Sequence, residues 1–230
     1  GRDIRETGKM LRSLNLEVVS LCRGGFFPAL TKHERDAAIK ENFKAIDEAS
    51  ALEAPMLVLV CGSAAGQSLS ASREQIKHGI EACLPYAEKK GVQLTIEPLH
   101  PMYAGERSAI NTLEQANDLA EYFNSPNVGI AVDVYHLWWD PHLAGQLKRC
   151  GENRNLSAFH ICDWKTPTLD MLNDRGLMGE GCINIKEIRG WAESAGFRGF
   201  NEVEIFSTIH WQEDQDIFFN CILESYLHSS

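Results

Sequence analysis

The sequence lacks several features that mark whole classes of protein. Its 230 residues contain no uninterrupted run of about 18 apolar residues, so no membrane-spanning helix is expected. Lys and Arg number 22 against 32 Asp and Glu, and the net charge of −10 argues against a nucleic-acid partner, which selects basic surfaces. The polar opening segment does not have the pattern of a signal peptide. We therefore expect a cytoplasmic protein with neither a membrane nor a nucleic acid as partner.

The seven cysteines also lack the spacing that cysteine chemistry requires. They are scattered, odd in number and without a CxxC pair, which argues against a zinc cluster and a disulfide framework. Several lie in apolar runs, as Cys61 and Cys162 do, so we expect reduced thiols that are buried as small hydrophobic residues. Glycine motifs for phosphate binding are missing as well, since neither GxGxxG nor a Walker sequence occurs.

The chain does contain an alternation of short β-branched runs with longer amphipathic stretches. The predicted strands are Leu16–Cys22, Met56–Cys61, Val92–Glu97, Val128–Asp133, Leu156–Cys162 and Asn201–Phe206. The predicted helices are Arg2–Arg12, Lys32–Ser50, Ser72–Lys90, Thr112–Phe123, Ile185–Ala195 and Asp214–Tyr226. Because the strands are almost continuously apolar and helices separate them, a parallel sheet covered by helices is indicated.

An open doubly wound sheet and a closed barrel both fit this alternation. Polar residues gather at the carboxyl ends of several different strands, which is how a (β/α) barrel builds its site. Six strands rather than eight can be identified. We therefore predict a single domain over residues 1–230 with an α/β fold, a (β/α)₈ TIM barrel that lacks one or two N-terminal β/α units in this chain.

Four consecutive strands each provide one side chain that can bind a metal, at or near the strand's carboxyl end. These residues are Glu97, Asp133, His160 and Glu204. In a barrel such ends converge on one axis, so the four side chains can meet at one ion. Three carboxylates and one imidazole suit Mn²⁺, Mg²⁺ or Co²⁺ and tolerate Zn²⁺. Asp163 is a further candidate ligand, for which we favour a supporting or substrate-binding role instead.

Through these residues the chain resembles the xylose isomerase-like (β/α)₈ barrel family of sugar phosphate isomerases and epimerases. That family includes the D-tagatose 3-epimerase and inosose dehydratase types. The most specific stretches are Leu94–His100, Ile110–Ala116, Val132–Asp140, Phe159–Trp164, Arg175–Asn184 and Glu202–Ser207. The resemblance implies one divalent metal ion, Mn²⁺ by preference with Mg²⁺, Co²⁺ or Zn²⁺ as alternatives. It also implies that Glu97, Asp133, His160 and Glu204 are the metal ligands.

The resemblance further implies a metal-dependent isomerase or epimerase of a sugar, sugar phosphate or polyol ketone. Glu97 and Glu204 would exchange protons at the carbon next to a metal-bound carbonyl, through an enediolate. His136 and Arg175 match family positions that contact substrate oxygens, and His100 and Trp164 are candidates for the wall of the pocket. A small carbohydrate is the expected partner, and a homo-oligomer is common among the proteins that this chain resembles.

Two departures from the family pattern leave the substrate open. Ketose 3-epimerases have a glutamate six residues after the first ligand, where this chain has Tyr103, and the loop from His100 to Ile110 is longer than theirs. The same ligand set could also support β-elimination. A lyase or dehydratase acting on a keto-sugar or inosose is therefore the alternative function, and a non-catalytic sugar-binding subunit is a third.

Overall fold

The structure, a computed structural model, describes residues 3–230. The chain forms two compact units, the first extending to Ala131 and the second covering Val132–Ser230. Within residues 3–230, no helix combines the length and the apolar character that crossing a membrane requires. The expectation of a single domain over residues 1–230 stays a prediction.

Strands and helices alternate through the first unit. In chain order they are α1 Ile4–Ser13, β1 Leu21–Gly25, α2 Lys32–Leu52, β2 Met56–Val60, α3 Leu69–Lys90, β3 Gln93–Glu97, α4 Leu113–Phe123 and β4 Val128–Asp133. The last two residues of β4 belong to the second unit. Strands β1, β2, β3 and β4 pair in that order and in parallel, with Val60 opposite Glu97. Glu97 therefore lies at the carboxyl end of this sheet.

The second unit has shorter strands and more irregular chain. Its elements are α5 Val134–Leu137, α6 Leu143–Glu152, β5 Leu156–Ile161, β6 Asp163–Trp164, β7 Arg175–Gly176, α7 Ile185–Ser194, β8 Asn201–Val203 and α8 Gln215–Ser229. Strands β5 and β8 pair in parallel, which places His160 opposite Glu202. Strands β6 and β7 form a two-residue antiparallel ladder that the sequence pattern did not predict.

Burial of the strands and capping of the helices account for these elements. Strands β2 and β4 are almost wholly buried, as expected for parallel strands covered on both faces. Helix α4 begins after Thr112, whose side chain accepts the N–H of Gln115 and so caps the helix. Helix α2 begins with a reciprocal capping box between Thr31 and Glu34.

Some predicted boundaries are wrong. The first strand is Leu21–Gly25 instead of Leu16–Cys22, and Leu16 is 53% exposed, so an apolar run there did not signal burial. The last strand ends at Val203 instead of Phe206. The helix predicted over Arg2–Arg12 is found at Ile4–Ser13, and Arg2 lies outside the described residues.

The cysteines follow the prediction in part. None of the seven is in a disulfide, and Cys61, Cys83, Cys150 and Cys162 are buried as expected. Cys22 and Cys182 are exposed, which the prediction of buried thiols did not foresee.

A buried amide joins α2 to β1. Asn42 is 3% exposed, and its Oδ1 accepts the N–H of Gly25 at 2.7 Å while its Nδ2 donates to the carbonyl of Gly25 at 2.8 Å. The same Nδ2 donates to the carbonyl of Ala38 at 2.9 Å. One side chain thus satisfies both polar groups of a buried glycine at the carboxyl end of β1.

We predict that Asn42→Ala lowers the free energy of unfolding by about 1–3 kcal/mol, because it leaves the N–H and the carbonyl of Gly25 buried without these partners. Urea denaturation followed by circular dichroism measures this change. Glu41→Ala is the control, since Glu41 is exposed on the same helix and its loss should change stability by less than about 0.5 kcal/mol. Equal midpoints for wild type and Asn42→Ala would contradict the prediction.

Candidate metal centre

Glu97 is the candidate ligand of the first unit. It is the last residue of β3 and is 3% exposed. Cys61 directly follows β2, the strand that pairs with β3. Burial raises the pKa of the Cys61 thiol, and the carboxylate of Glu97 raises it further. The thiol is therefore a neutral neighbour of the carboxylate and does not compete with it as an anionic ligand.

Asp133 ends β4 and begins the short helix α5. Its Oδ1 accepts the N–H of Tyr135 at 2.8 Å, which makes it an N-cap and fixes the direction of the carboxylate. The other oxygen, Oδ2, lies 3.6 Å from Nε2 of His136. Asp133 is fully buried; Oδ1 serves the backbone turn, and Oδ2 faces the polar side chains of the second unit.

His160 and Glu204 come from the paired strands of the second unit. His160 is 3% exposed in β5. Glu204 follows β8, but its N–H still donates to the carbonyl of Ile161 at 3.1 Å, so the ladder continues one residue beyond the strand. This bond brings the Glu204 side chain beside the imidazole, with 4.0 Å between Oε2 and Nδ1 of His160.

Arg175 supplies a positive charge to these carboxylates. Its Nη1 donates to Oδ2 of Asp133 at 3.0 Å and to Oε2 of Glu204 at 2.9 Å. The guanidinium carbon also lies 4.3 Å from the centre of the Tyr135 ring and 5.0 Å from that of Phe206. The arginine is 2% exposed, so this is a buried ion pair held between aromatic rings.

The structure brings three of the predicted ligands together in the second unit. Asp133, His160 and Glu204 each offer one ligand atom, and these atoms lie within 4.8 Å of one another. Asp133 and His160 are buried and Glu204 is partly exposed. The role of Glu97 as the fourth ligand stays a prediction. Oxygen-rich donors with one imidazole fit a hard or borderline divalent cation.

Asp163 has a different role from that of a ligand. It is fully buried and accepts three backbone N–H groups, from Trp164 at 2.8 Å, from Gly179 at 2.9 Å and from Ile183 at 3.0 Å. A Cβ on Gly181 would lie 2.2 Å from the carbonyl oxygen of Trp164, so glycine is needed where this loop folds against β6. The carboxylate therefore holds the loop that follows Arg175, which agrees with the supporting role that we favoured.

The other predicted pocket residues lie in varied settings. His136 is buried, with Nε2 at 3.4 Å from Nη2 of Arg175. Trp164 stacks on Tyr135 with 4.7 Å between ring centres and also lies beside Trp138. His100 is half-buried before a short 3₁₀ helix, where its Nδ1 accepts the N–H of Met102 and burial lowers the pKa of the imidazole. Their contact with substrate stays a prediction.

Tyr103, the departure from the ketose 3-epimerase pattern, is a core residue. It is 8% exposed and packs with Val60 and Leu99. Its backbone carbonyl accepts the N–H of Arg107 at 2.9 Å, so the ring and the backbone both order the loop.

The chain matches a known protein family over most of its length. A family model described as a xylose isomerase-like TIM barrel matches residues 1–220. The chain therefore belongs to the xylose isomerase-like TIM-barrel family, and the predicted family and α/β barrel class are confirmed. Inosose isomerase of Bacillus subtilis (strain 168) is 27% identical over 123 residues, which are 52% of this chain and 42% of that protein. The match thus spans less than half of the curated relative's length.

Two solved structures show the same fold. Protein SMc04130 from Sinorhizobium meliloti 1021 is 48% identical, with a TM-score of 0.95 over 98% of this chain and 82% of that chain. The IolI protein with a bound zinc atom is 18% identical, with a TM-score of 0.81 over 98% of this chain and 81% of that chain. The clustered side chains of the second unit support a divalent metal ion here.

Sequence analysis missed one acidic residue near the centre. Glu202 lies opposite His160 in the ladder, with 3.7 Å between its Oε1 and Nε2 of the imidazole. A signal was present, because Glu202 and Glu204 are two residues apart on a strand and so project to the same face.

We predict that Asp163→Asn destabilises the protein by about 1–3 kcal/mol, because an amide replaces one accepting oxygen by a donor that faces a backbone N–H. Thermal unfolding measures the effect. Asp170→Asn is the matched control: Asp170 accepts the N–H groups of Leu172 and Asn173 but is exposed, so its amide variant should stay close to wild type. Equal melting temperatures for wild type and Asp163→Asn would refute a structural role for this carboxylate.

Proposed function

We propose that the chain is part of a metal-dependent isomerase or epimerase that acts on a sugar, sugar phosphate or polyol ketone. The observation that carries the proposal is the cluster of Asp133, His160 and Glu204 in the second unit, whose ligand atoms lie within 4.8 Å of one another. Glu97, the last residue of β3, is the proposed fourth ligand. Family membership supports it, as does the isomerase named among the curated relatives. Mn²⁺ is our preferred ion because three of the four donors are carboxylates, which suit Mn²⁺ better than they suit softer ions.

A bound divalent ion would supply a Lewis acid that polarises a substrate carbonyl and makes the proton on the adjacent carbon easier to remove. The residues of the chain supply the proton transfer. Glu97 and Glu204 are the proposed acid and base, one removing the proton and the other returning a proton to the opposite face. Glu204 is the more exposed of the two, with 25% of its side chain accessible.

Arg175 and His136 are proposed to bind substrate oxygens. Arg175 has its Nη1 on the two carboxylates, while its Nη2 lies beside Nε2 of His136 at 3.4 Å. The guanidinium of Arg175 and the imidazole of His136 lie next to each other, and together they would bind substrate hydroxyl groups. Trp164 is proposed as an apolar wall for the C–H face of the ring, and His100 as a further wall residue.

The metal site can be tested first. We expect the purified protein, loaded with Mn²⁺ and dialysed, to retain one ion per chain by elemental analysis. Asp133→Asn should lose it, because a neutral amide is a weaker ligand for a hard cation. Asp140→Asn is the control, since Asp140 is also buried but its Oδ1 caps the N–H of His142. Metal retention in Asp133→Asn equal to that of wild type would exclude the site.

The proton carriers are tested by isotope exchange. In deuterated water, wild-type protein should introduce deuterium next to the carbonyl of a ketose or inosose, as followed by NMR. Glu204→Gln should keep the circular dichroism spectrum and reduce exchange by about 10²–10⁴-fold, the usual contribution of a general acid or base. Glu187→Gln, an exposed carboxylate of the same unit, is the control. Full exchange in Glu204→Gln would overturn its role.

The same assay separates the alternatives. Deuterium entering the ketone without loss of water supports the isomerase. Elimination of water identifies a lyase, for which the ligand set is equally suited. Retained metal without exchange on any ketose tested would leave a sugar-binding subunit as the function and would refute the proposed activity.

A further inference from the structure

Two glutamates of the second unit contact opposite sides of one imidazole. Nδ1 of His160 lies 4.0 Å from Oε2 of Glu204, and Nε2 of the same ring lies 3.7 Å from Oε1 of Glu202. The ring is 3% exposed and its Nε2 is buried. Each ring nitrogen therefore has its own carboxylate neighbour.

The sheet register produces this arrangement. His160 and Glu202 are direct partners in the parallel ladder of β5 and β8, and neighbouring strands lie about 4.8 Å apart. Glu204 is two residues further along and projects to the same face. Glu202 is a ladder position of β8, and the N–H of Glu204 continues the ladder to the carbonyl of Ile161, so the backbone of both residues is held by the sheet rather than by a flexible loop.

We propose that Glu202 is a positioning residue for the metal centre, which holds the proton of His160 on Nε2 and leaves Nδ1 as the ligand atom. A neutral imidazole carries one proton, and the nitrogen without it is the one that can bind a metal. A carboxylate beside the remote nitrogen fixes the tautomer and the ring orientation, and it raises the basicity of the ligand nitrogen. This inference rests on the proposed metal site and names a residue outside its ligand group.

The geometry separates Glu202 from the ligands. In the second unit, the group whose ligand atoms lie within 4.8 Å of one another contains Asp133, His160 and Glu204 and not Glu202. Its contact is to Nε2, whereas Glu204 approaches Nδ1. The 3.7 Å between Oε1 and Nε2 is longer than an N–H···O hydrogen bond, which spans about 2.7–3.2 Å, so the proposed bond requires a small rotation of either side chain.

The affinity for metal is the first readout. We expect Glu202→Leu to bind Co²⁺ or Zn²⁺ about 10–100-fold more weakly than wild type in a chelator competition, the usual cost of losing such a partner. Glu202→Gln keeps an oxygen that can accept the Nε2 proton, so it should restore most of the affinity. Glu213→Gln is the matched control, because Glu213 contacts a different histidine that is not a proposed ligand. Its Oε2 lies 3.2 Å from Nδ1 of His210.

The tautomer of His160 is the second readout, and it uses the metal-free protein. Nitrogen-15 NMR of the imidazoles should show His160 in the Nε2–H form in wild type and in Glu202→Gln, and as a mixture of tautomers in Glu202→Leu. The signal is assigned by its loss in His160→Gln. Thermal unfolding of the metal-free variants shows that their fold is retained.

The outcomes distinguish this inference from the proposed function. Equal metal affinity and an unchanged tautomer in Glu202→Leu would overturn the role of Glu202 while leaving the metal site intact. A wild-type protein that retains no metal would refute the site itself, and the positioning role with it. Weaker binding in Glu202→Leu together with recovery in Glu202→Gln supports the inference.

Discussion

The burial of negative charge is the constraint on which the centre depends. Asp133 is fully buried and Glu204 is partly so, and a desolvated carboxylate costs several kcal/mol unless a charge and hydrogen bonds compensate it. Arg175 provides both through Nη1, which bonds to an oxygen of each. Because a guanidinium keeps its charge throughout the pH range in which proteins are stable, this compensation is permanent. The surrounding Tyr135 and Phe206 rings exclude water and keep the arginine in place.

Asp163 carries the constraint into the backbone of the second unit. Arg175 can compensate the carboxylates only if β7 holds its backbone nearby, and the N–H of Arg175 donates to the carbonyl of Phe206 at 3.0 Å. The loop that leaves β7 is fixed by two of its N–H groups, those of Gly179 and Ile183, which donate to Asp163. The buried carboxylate of Asp163 thus supports Arg175, which in turn compensates the charge of the other carboxylates. Its partners are neutral amides, which stabilise an anion without adding a competing positive charge.

The positions of the proposed ligand residues could be predicted from the sequence because a parallel sheet aligns strand ends. Glu97 and Asp133 each end an apolar run, and a run of that kind fixes both the strand and the position of its last residue. The predicted strand Asn201–Phe206 contained Glu204, whereas the observed strand ends one residue before it at Val203. Element boundaries in exposed parts of the chain were harder to predict, because residue type alone does not distinguish an apolar residue in a loop from one in the core. The exposed Leu16 is an example.

The contacts among these residues could not be predicted in the same way. The ladder of β6 and β7 pairs only two residues on each strand, too short for a period to appear in the sequence. Arg175 was identified through family resemblance, but its bonds to Asp133 and Glu204 depend on that ladder and on the turn after it. Likewise, the pairing of His160 with Glu202 depends on the register between strands far apart in the sequence.

Charge balance favours a divalent ion over a monovalent one at the proposed centre. The proposed ligands Glu97, Asp133 and Glu204 bring three negative charges when ionised, the neighbouring Glu202 brings a fourth, and Arg175 returns one positive charge through its two hydrogen bonds. A divalent cation would offset two of the three remaining negative charges, whereas a monovalent ion would offset only one. Because uncompensated charge is costly in a buried site, this balance would disfavour a monovalent ion, and the oxygen-rich donors would then select among divalent metals. Removal of a substrate proton by either glutamate would raise the net charge by one, which a developing negative charge on the substrate would offset.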